Sequence, residues 1–247
     1  MNRCLCGWDR RKLVSFIKIE GKTFRGVFQE RPNRFSALVK VKDKILFTFL
    51  PNPGRMHELL SPGTEVILRE VVKDNRKTNY DLIGVSFNGR WVSVDSRVPN
   101  KLVLEALRNQ DIKELSEYSV IKPEYGYGHT RFDFFLTNER ERCFLEVKSA
   151  TLVKDGVAMF PDAVTERGKR HVNDLVKAKQ EGYRACILFL VQRTDACSFA
   201  PDDETDPKFG KALRNAAAEG VEIYAYKMEI SSNFSLLSLS SRLDVNL

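Results

Sequence analysis

Long apolar segments are missing from this sequence. The longest uninterrupted run, residues 185–191, has seven residues, whereas a helix needs about 20 to cross a bilayer. The amino terminus is basic and has no apolar block of the kind found in secretory signals. We therefore expect a soluble, cytoplasmic protein.

Cysteine and histidine are scarce. Cys4 and Cys6 are separated by one residue, and no second pair follows to complete a zinc knuckle. Cys186 lies within an apolar run and is expected to be a small buried side chain. The three histidines are isolated, so His171 is expected to be an ordinary helix residue. The pattern argues against a zinc site or a small disulfide scaffold and leaves a surface disulfide through Cys4 or Cys6 open.

The charge is distributed unevenly along the chain, whose composition is otherwise typical of a globular protein. The 247 residues are 43% hydrophobic and 30% charged, enough for one large domain or two ordinary ones. Residues 1–90 contain 18 Lys/Arg against 9 Asp/Glu (+9), and residues 91–247 contain 22 against 24 (−2). A basic surface attracts polyanions, which predicts a nucleic-acid partner. A basic domain that is merely soluble is the alternative.

Residues 1–92 are predicted to form one domain of short strands. Turn residues separate five segments of alternating polarity, at residues 22–28, 34–41, 44–50, 64–72 and 81–85. Short antiparallel strands without a long helix favour a small barrel of the oligonucleotide-binding (OB) type. A β-sandwich fits the same pattern equally well.

Residues 93–247 are predicted to form an α/β domain on a mixed sheet. Helices are expected near residues 100–107, 166–182 and 207–219, with Asn100 and Thr165 as N-caps of the first two. The apolar run before the third helix is typical of a strand buried on both faces. Strand–helix–strand order implies parallel pairing. The serine-rich tail, residues 231–241, is expected to be loosely held.

One predicted hairpin in the second domain carries the sharpest chemical signal. If its turn is centred between residues 139 and 140, Leu136 faces Cys143 and Asp133 faces Glu146. Cross-strand neighbours on one face have Cβ atoms about 5 Å apart. Lys148 lies two residues beyond Glu146 and shares its face.

Two carboxylates so close repel each other unless positive charge lies between them. A partly hydrated Mg²⁺ or Mn²⁺ needs only one or two carboxylate ligands, which predicts a metal site at Asp133 and Glu146. The implied chemistry is metal-assisted attack of water on a phosphodiester, with Lys148 as a catalytic residue. A simple ion pair with Lys148 is the alternative, although the apolar neighbours of both acids make unpaired charge costly.

Two further groups are weaker candidates. Glu105 lies about 60° from Leu102 around its helix and could border the buried face, but its spacing alone favours a solvated glutamate. Thr165, Arg167 and Arg170 lie at the start of the next helix, where backbone N–H groups bind phosphate oxygens. A solvated basic helix face is the alternative there.

Several stretches together resemble the sugar fermentation stimulation protein family. They follow the family order over about residues 20–227. The matching stretches are residues 31–35, 51–56, 61–63, 100–107, 127–133, 145–148, 160–168, 191–193 and 206–207. The sequence departs from the family at Pro32 and Asn33, where an aromatic and a basic residue are usual. Residues 1–15 and the tail beyond about residue 228 have no clear counterpart.

The resemblance implies an OB-like barrel followed by a core of the PD-(D/E)XK nuclease type. It also implies DNA binding without sequence preference and a link to the regulation of sugar metabolism. In the nuclease pattern Asp133 and Glu146 take the metal positions, Lys148 the catalytic lysine position, and Glu105 the place of an accessory helix acid.

DNA is therefore the expected partner, bound mainly through its phosphate backbone. The candidate contacts are Arg31, Arg34, Asn52, Arg55, Arg76, Lys77, Arg131, Thr165, Arg167 and Arg170. An Mg²⁺-dependent nuclease acting on DNA or RNA is the alternative function. A sugar-responsive regulator gains no support, because no helix-turn-helix signature is present. The oligomeric state is left open, with a homodimer among the alternatives.

Overall fold

The computed structural model describes residues 15–71 and 76–247. Cys4, Cys6 and the turn expected near residue 74 lie outside these described residues. Strand β1 (Phe16–Lys18) is followed by the six strands of the first part. These are β2 (Thr23–Asn33), β3 (Ser36–Val41), β4 (Lys44–Phe49), β5 (Glu65–Glu70), β6 (Tyr80–Phe87) and β7 (Arg90–Ser93).

The first part closes into a barrel. Its strand order is β4-β3-β2-β5-β6-β7, and an additional parallel pairing of Phe49 with Asp81 joins β4 to β6. Alternate side chains point inward and form one apolar core, which includes Phe28, Val39, Leu50, Leu68 and Leu82. The structure thus agrees with the OB-type barrel and excludes the β-sandwich.

The second part contains three helices and the remaining strands. Its elements are α1 (Val98–Arg108), a 3-10 turn (Lys113–Leu115), β8 (Val120–Tyr127), β9 (Thr130–Thr137), β10 (Arg142–Ala150), β11 (Leu152–Lys154), β12 (Val157–Phe160), α2 (Glu166–Gln180), β13 (Arg184–Val191), β14 (Ser198–Pro201), α3 (Pro207–Ala218), β15 (Glu222–Ile230) and β16 (Leu236–Val245). Among the described residues, no helix is both long and apolar enough to span a membrane.

These strands form one mixed sheet in the order β11-β12-β14-β16-β15-β13-β10-β9-β8, and β1 pairs with β16. Strands β8, β9 and β10 are antiparallel neighbours, whereas β13 is parallel to both β10 and β15. On β13, Cys186 and Leu188 belong to the core on one side of the sheet, and Ile187 and Phe189 to the core on the other. The expected strand with two buried faces is confirmed, and so is the mixed-sheet fold.

The two predicted N-caps have different outcomes. The hydroxyl of Thr165 accepts a 3.0 Å hydrogen bond from the Gly168 backbone N–H, so Thr165 does cap α2. Helix α1 instead begins at Val98, with Pro99 in its first turn, so the prediction that Asn100 caps it is wrong. Proline suits a first turn because it has no N–H to satisfy there. The Asn100 side chain is therefore available for another role.

Barrel and sheet share a core. Ile67 and Ile83, on the outer side of the barrel, belong to the same apolar cluster as Leu102 of α1. Polar contacts reinforce this junction, since the Ser93 hydroxyl donates to Gln192 Oε1 at 2.9 Å. Gln192 Nε2 donates in turn to the Ser149 hydroxyl at 2.8 Å. The segment just after β13 therefore fastens the barrel to the sheet.

A buried ion cluster fixes α1 against the barrel. Asp81 is fully buried and accepts hydrogen bonds from Arg69, Arg76 and Arg97. Burial alone would raise the pKa of Asp81, but these guanidinium hydrogen bonds outweigh burial and hold its pKa below the usual range. Arg97, which also bonds Asp95, immediately precedes α1. The position of the helix is thus tied to the barrel.

The serine-rich tail is an ordered part of the sheet, so the expectation of a loose tail is wrong. Strand β16 lies between β14 and β15. The turn that precedes β16 carries Phe234, which is buried and packs edge-on against Trp91 with ring centroids 5.8 Å apart. The Trp91 indole donates to the Ser232 carbonyl at 3.0 Å. Alternation of leucine and serine here marks a strand rather than a flexible segment.

Candidate functional site

The hairpin register predicted from the sequence is confirmed. Leu136 pairs with Cys143 and Phe134 with Leu145, as expected. Asp133 and Glu146 come next in this register, where the paired ladder ends. There the Asp133 carboxylate accepts the backbone N–H of Val147 at 2.7 Å. The side chain therefore satisfies a backbone donor at the point where the two strands separate.

Asp133 is held from two sides. Its Oδ2 accepts the Val147 N–H, and its Oδ1 accepts from Asn100 Nδ2 at 2.6 Å. Burial, followed by the negative charge of Glu146, raises the pKa of Asp133 to about 6. The carboxyl is thus half-protonated near pH 6, and a cation placed beside it would favour its ionised form.

Glu146 is almost fully buried at 3% exposure. Its Oε1 contacts His171 Nδ1 at 2.6 Å and also accepts from Lys148 Nζ. Burial alone would raise the pKa of Glu146, but the His171 hydrogen bond and the Lys148 charge outweigh burial and lower its pKa. Its other oxygen, Oε2, is buried and has no hydrogen-bond partner among the described residues. Oε1 of this carboxylate is therefore held by two side chains, while Oε2 keeps its capacity to accept a ligand.

His171 connects Glu146 to a basic residue on α2. Its ring is buried, and its Nε2 lies 3.4 Å from Arg167 Nε, which can only donate. Both contacts are satisfied when His171 carries its proton on Nδ1 and donates it to Glu146. His171 was expected to be an ordinary helix residue rather than a ligand, and the structure adds that it is buried and contacts Glu146. Its contact partner lies 25 positions away along the chain, so sequence spacing gave no signal for the pairing.

Asp133, Glu146 and Lys148 line one cavity of about 450 Å³ between the barrel and the sheet. The three side chains thus converge on one side of the sheet. Asn100 joins them from α1, and residues of two other regions complete the wall. These include Arg34, Asn52, Gly54, Asp162, Thr165 and Arg167.

Two neighbouring cavities extend this space. One, of about 530 Å³, shares Arg34 and Gly54 with the central cavity. The other, of about 370 Å³, shares Asp133 and Arg167 with it. We call the three cavities together the basic cleft, because arginines recur along all of it. These arginines are Arg31, Arg34, Arg55, Arg131, Arg167 and Arg170.

The basic cleft brings together eight of the ten predicted DNA contacts. These are Arg31, Arg34, Asn52, Arg55, Arg131, Thr165, Arg167 and Arg170. Arg76 and Lys77, both in the described part of the chain, line none of the three cavities. Arg76 instead donates to the buried Asp81 at 2.6 Å, because an unpaired carboxylate there would be costly.

Two of the eight residues shape the cleft. The Arg31 guanidinium donates to the backbone carbonyls of Arg55 at 2.6 Å and Arg34 at 2.9 Å. The buried Asn52 side chain accepts the Gly54 N–H at 2.8 Å. Arg31 and Asn52 therefore hold the loops that present the exposed side chains of Arg34 and Arg55.

The structure does not bring Glu105 to the acid pair. Its side chain pairs with Arg108 at 2.9 Å and lines a different cavity, beside β1. Asn100, on the other side of α1, is the helix residue that reaches Asp133. Residues five positions apart on a helix point about 140° away from each other, so Asn100 and Glu105 cannot both face Asp133.

Asp162 is a further acidic residue that sequence reasoning missed, although it lies inside one of the matching stretches. Its Oδ2 accepts the Met56 backbone N–H at 3.3 Å. A Cβ on Gly54 would lie 2.4 Å from the same oxygen, so glycine permits this close approach. Burial raises the pKa of Asp162. The residue ties the barrel loop to the segment before α2.

The described residues contain no group of three or more His, Cys, Asp or Glu side chains placed to hold a metal ion. The candidate donor set is therefore the carboxylate pair of Asp133 and Glu146. Two of the described cysteines lie in the sheet core instead. Cys143 and Cys186 are buried, as expected for Cys186, with their sulfur atoms 3.7 Å apart in the sheet core.

Comparison with known families gives a consistent result over both parts. Residues 30–94 match the family model described as the SfsA N-terminal OB domain. Residues 97–234 match the model described as the sugar fermentation stimulation protein RE domain. An OB barrel packed on a mixed α/β sheet, with the acid pair of Asp133 and Glu146 in the cleft between them, defines the class of this protein. The chain belongs to the sugar fermentation stimulation protein family.

Individual relatives agree with this assignment. A sugar fermentation stimulation protein homolog of Caldanaerobacter subterraneus is 43% identical over 92% of this chain and 98% of the relative. A homolog of Clostridium tetani is 47% identical over 86% of this chain and 93% of the relative. A solved structure of SfsA from Pyrococcus furiosus, described as a complex with Ca²⁺, matches with a TM-score of 0.87. That structure is 30% identical and covers 94% of this chain and 99% of its own.

Proposed function

We propose that this protein binds DNA in the basic cleft without sequence preference, and that Asp133 and Glu146 at the floor of the cleft hold a divalent cation. The observation that carries the proposal is the position of the acid pair and Lys148 in a cavity with arginines on its walls. Those arginines would attract a phosphate backbone, and Asp133 and Glu146 would hold a cation that neutralises charge on the phosphate.

The absence of sequence preference is argued from the kind of side chain that lines the cleft. The exposed residues are arginines, such as Arg34 in a turn, Arg131 near the start of β9 and Arg170 on α2. Guanidinium groups form paired hydrogen bonds with phosphate oxygens. Phosphate contacts position the polymer and carry no sequence information.

The donor set fits a hard divalent cation. Within residues 15–71 and 76–247, Glu146 Oε2 is a buried oxygen without a hydrogen-bond partner, and each Asp133 oxygen has one hydrogen bond and keeps a second lone pair. Mg²⁺ needs only one or two carboxylates because it keeps much of its hydration shell. The relative from Pyrococcus furiosus is described as a Ca²⁺ complex, which supports the proposal that a protein of this family binds a divalent cation.

Phosphodiester hydrolysis is the second candidate function. When bound, the cation would lower the pKa of a water ligand and neutralise charge on the phosphate. Lys148 is only 13% exposed and lies beside Glu146 in the cavity, where its ammonium can stabilise charge that develops on phosphate oxygens. His171 and Lys148 both hold Oε1 of Glu146, which leaves Oε2 for the cation.

DNA binding is tested by fluorescence anisotropy with duplexes of different sequence at several salt concentrations. We expect affinity to fall steeply with salt and to be the same for all sequences. Arg34→Ala should weaken binding to every duplex equally and reduce the salt slope by about one. Arg108→Ala removes an exposed arginine away from the cleft and should change nothing. Affinity that is indifferent to salt would contradict the proposal.

The cation site is tested by calorimetric titration of Ca²⁺ and Mn²⁺. We expect Asp133→Asn to weaken binding strongly, and His171→Leu to weaken it about tenfold or more, as loss of a ligand's orienting partner typically does. His171→Asn should retain most of the affinity, because its amide can donate from a position near that of Nδ1. Wild-type protein that binds neither ion would contradict the proposed cation site.

The variant Lys148→Met distinguishes phosphodiester hydrolysis from DNA binding. This variant should bind the ion and DNA but leave plasmid intact in the presence of Mg²⁺ or Mn²⁺, whereas the wild type nicks it. If the wild type and Lys148→Met leave plasmid and single strands equally untouched, the protein binds DNA without cleaving it.

A further inference from the structure

An exposed valine lies inside the basic cleft. The side chain of Val164 is 62% exposed, and it lines both the central cavity and the cavity of about 530 Å³. A single exposed apolar side chain is ordinary on a protein surface. Val164 differs because it lies among arginines, where two cavities of the cleft adjoin. We call the cavity of about 530 Å³ the Val164 pocket.

The Val164 pocket has an apolar part and a basic part. Barrel residues 53–60 form one wall, and residues 163–164, just before α2, form another. No carboxylate and no Phe, Tyr or Trp side chain is among the described residues that line it. Apolar surface beside cations matches a nucleotide, which joins a flat base to a charged phosphate. The apolar residues are Pro53, Leu60, Ala163 and Val164, and the basic ones are Arg31, Arg34 and Arg55.

The size and position of the pocket suit one nucleotide of a bound strand. Its volume of about 530 Å³ lies within the range of about 300–1,000 Å³ that is usual for pockets of small organic ligands. Arg34, Gly54 and Val164 line both this pocket and the central cavity. A strand with a phosphate beside the acid pair could therefore place a neighbouring base in the Val164 pocket.

Hydrogen bonds fix the backbone on both sides of Val164. The Asp162 carboxylate accepts the Met56 backbone N–H at 3.3 Å, and the Asp206 carboxylate accepts the Thr165 backbone N–H at 2.9 Å. Thr165 in turn caps α2. A side chain on a segment held in this way can press against bases with little further loss of backbone freedom.

We propose that the Val164 pocket accepts one unstacked base of the bound nucleic acid, and that Val164 is the wedge that separates this base from its neighbour. The inference rests on the proposed nucleic-acid binding and adds the class of substrate that the cleft prefers. Apolar side chains inserted at a base step unstack it. The free-energy cost of extruding a base is smallest when that base is unpaired. DNA that carries an unpaired base is therefore the preferred ligand.

The test compares a fully paired duplex with the same duplex carrying one extra unpaired base, by fluorescence anisotropy in EDTA so that cleavage plays no part. We expect the wild type to bind the bulged duplex about tenfold more tightly. Val164→Ala should bring the ratio of the two affinities close to one, and Val164→Ile should retain it. Val120→Ala is the matched control, since Val120 is an exposed valine on β8 that lines none of the three cavities, and it should have no effect.

A 2-aminopurine at the bulge reports where the base goes, because stacking on other rings quenches its fluorescence. The fluorescence should rise when the wild type binds, since no Phe, Tyr or Trp among the described residues lines the pocket, and it should rise less with Val164→Ala. Arg131 lies in the cleft but outside this pocket. Arg131→Ala should therefore weaken binding to both duplexes alike and leave their ratio unchanged.

Equal wild-type affinities for the two duplexes, an unchanged ratio in Val164→Ala, or constant 2-aminopurine fluorescence would overturn the base pocket while leaving the proposed cleft binding intact. A wild type that binds neither duplex would contradict the proposed function itself. Sedimentation analysis checks another occupant: a wild-type dimer that becomes a monomer in Val164→Ala would assign the pocket to a second copy of the chain and overturn the proposal.

Discussion

At the scale of single residues, two carboxylates on neighbouring strands of one hairpin have pKa values shifted in opposite directions. Burial and the charge of Glu146 raise the pKa of Asp133 to about 6. Glu146 is also buried, but His171 and Lys148 stabilise its ionised form and lower its pKa. The difference comes from the partners, because Asp133 has an amide and a backbone N–H while Glu146 has an ammonium and an imidazole.

The raised pKa of Asp133 predicts a pH dependence of cation affinity. Above about pH 6 the carboxyl is ionised and would be available to the proposed ion, and below that pH a proton would compete with the ion. Apparent Ca²⁺ affinity should fall about tenfold between pH 7 and pH 5, because the ionised fraction falls by that factor. Calorimetry at stepped pH measures the effect. Asp133→Asn should bind weakly with a much flatter pH profile, and a wild-type profile equally flat would refute the assignment.

Without the ion, the raised pKa of Asp133 makes folding stability decrease with rising pH, whereas it makes cation affinity increase. The folded state binds the Asp133 proton more tightly than the unfolded chain does, because its pKa is above the ordinary 3.8. The contribution of this carboxyl to stability therefore decreases as pH rises from about 4 to about 6. A functional carboxyl at this position thus costs stability at neutral pH unless a cation is bound.

At the scale of elements, the hairpin of β15 and β16 supports the barrel from outside. The turn before β16 carries Phe234 into contact with β6. A Cβ at Gly84 would lie 2.5 Å from the Phe234 ring, so glycine is required there by close approach. A loose tail is expected here from the sequence, although the leucine–serine alternation of β16 is compatible with a strand. The central place of β16 in the sheet could not be recognised from the sequence, because strand order depends on long-range pairing.

Gly84→Ala should lower the free energy of unfolding by about 1–3 kcal/mol, because the added methyl group overpacks a buried contact. Urea denaturation monitored by circular dichroism gives the difference. Gly126→Ala is the matched control, since Gly126 is also in a strand and nothing lies within 4 Å of its added Cβ. If both variants have wild-type stability, the turn does not press on the barrel as described.

At the scale of the whole molecule, the basic cleft exists only because barrel and sheet are held in one arrangement. The Asp81 cluster fixes Arg97 and so the start of α1, whose Asn100 reaches Asp133. Arg193, almost fully buried, bonds Asp195 at 2.6 Å and lies over the Phe87 ring of the barrel at 4.7 Å. Structural contacts far from the acid pair thus determine its geometry.

Asp81→Ala should lower the free energy of unfolding by about 3–5 kcal/mol, because it leaves several guanidinium groups without their buried partner. Thermal unfolding measured by calorimetry tests this. Glu65→Ala breaks the exposed Arg25–Glu65 pair and should cost less than about 1 kcal/mol. Comparable costs for the two variants would mean that the buried cluster does not hold the barrel and helix together.

Local pattern was sufficient for the barrel strands, the buried strand β13, the Thr165 cap and the hairpin register that aligns Asp133 with Glu146. Periodicity and turn residues act over a few positions, so a sequence expresses them directly. Tertiary structure alone decided that Asn100 rather than Glu105 meets Asp133, that His171 holds Glu146, and that Arg76 neutralises Asp81. Those partners are distant along the chain, and their meeting depends on how helices and strands pack, which no short segment encodes.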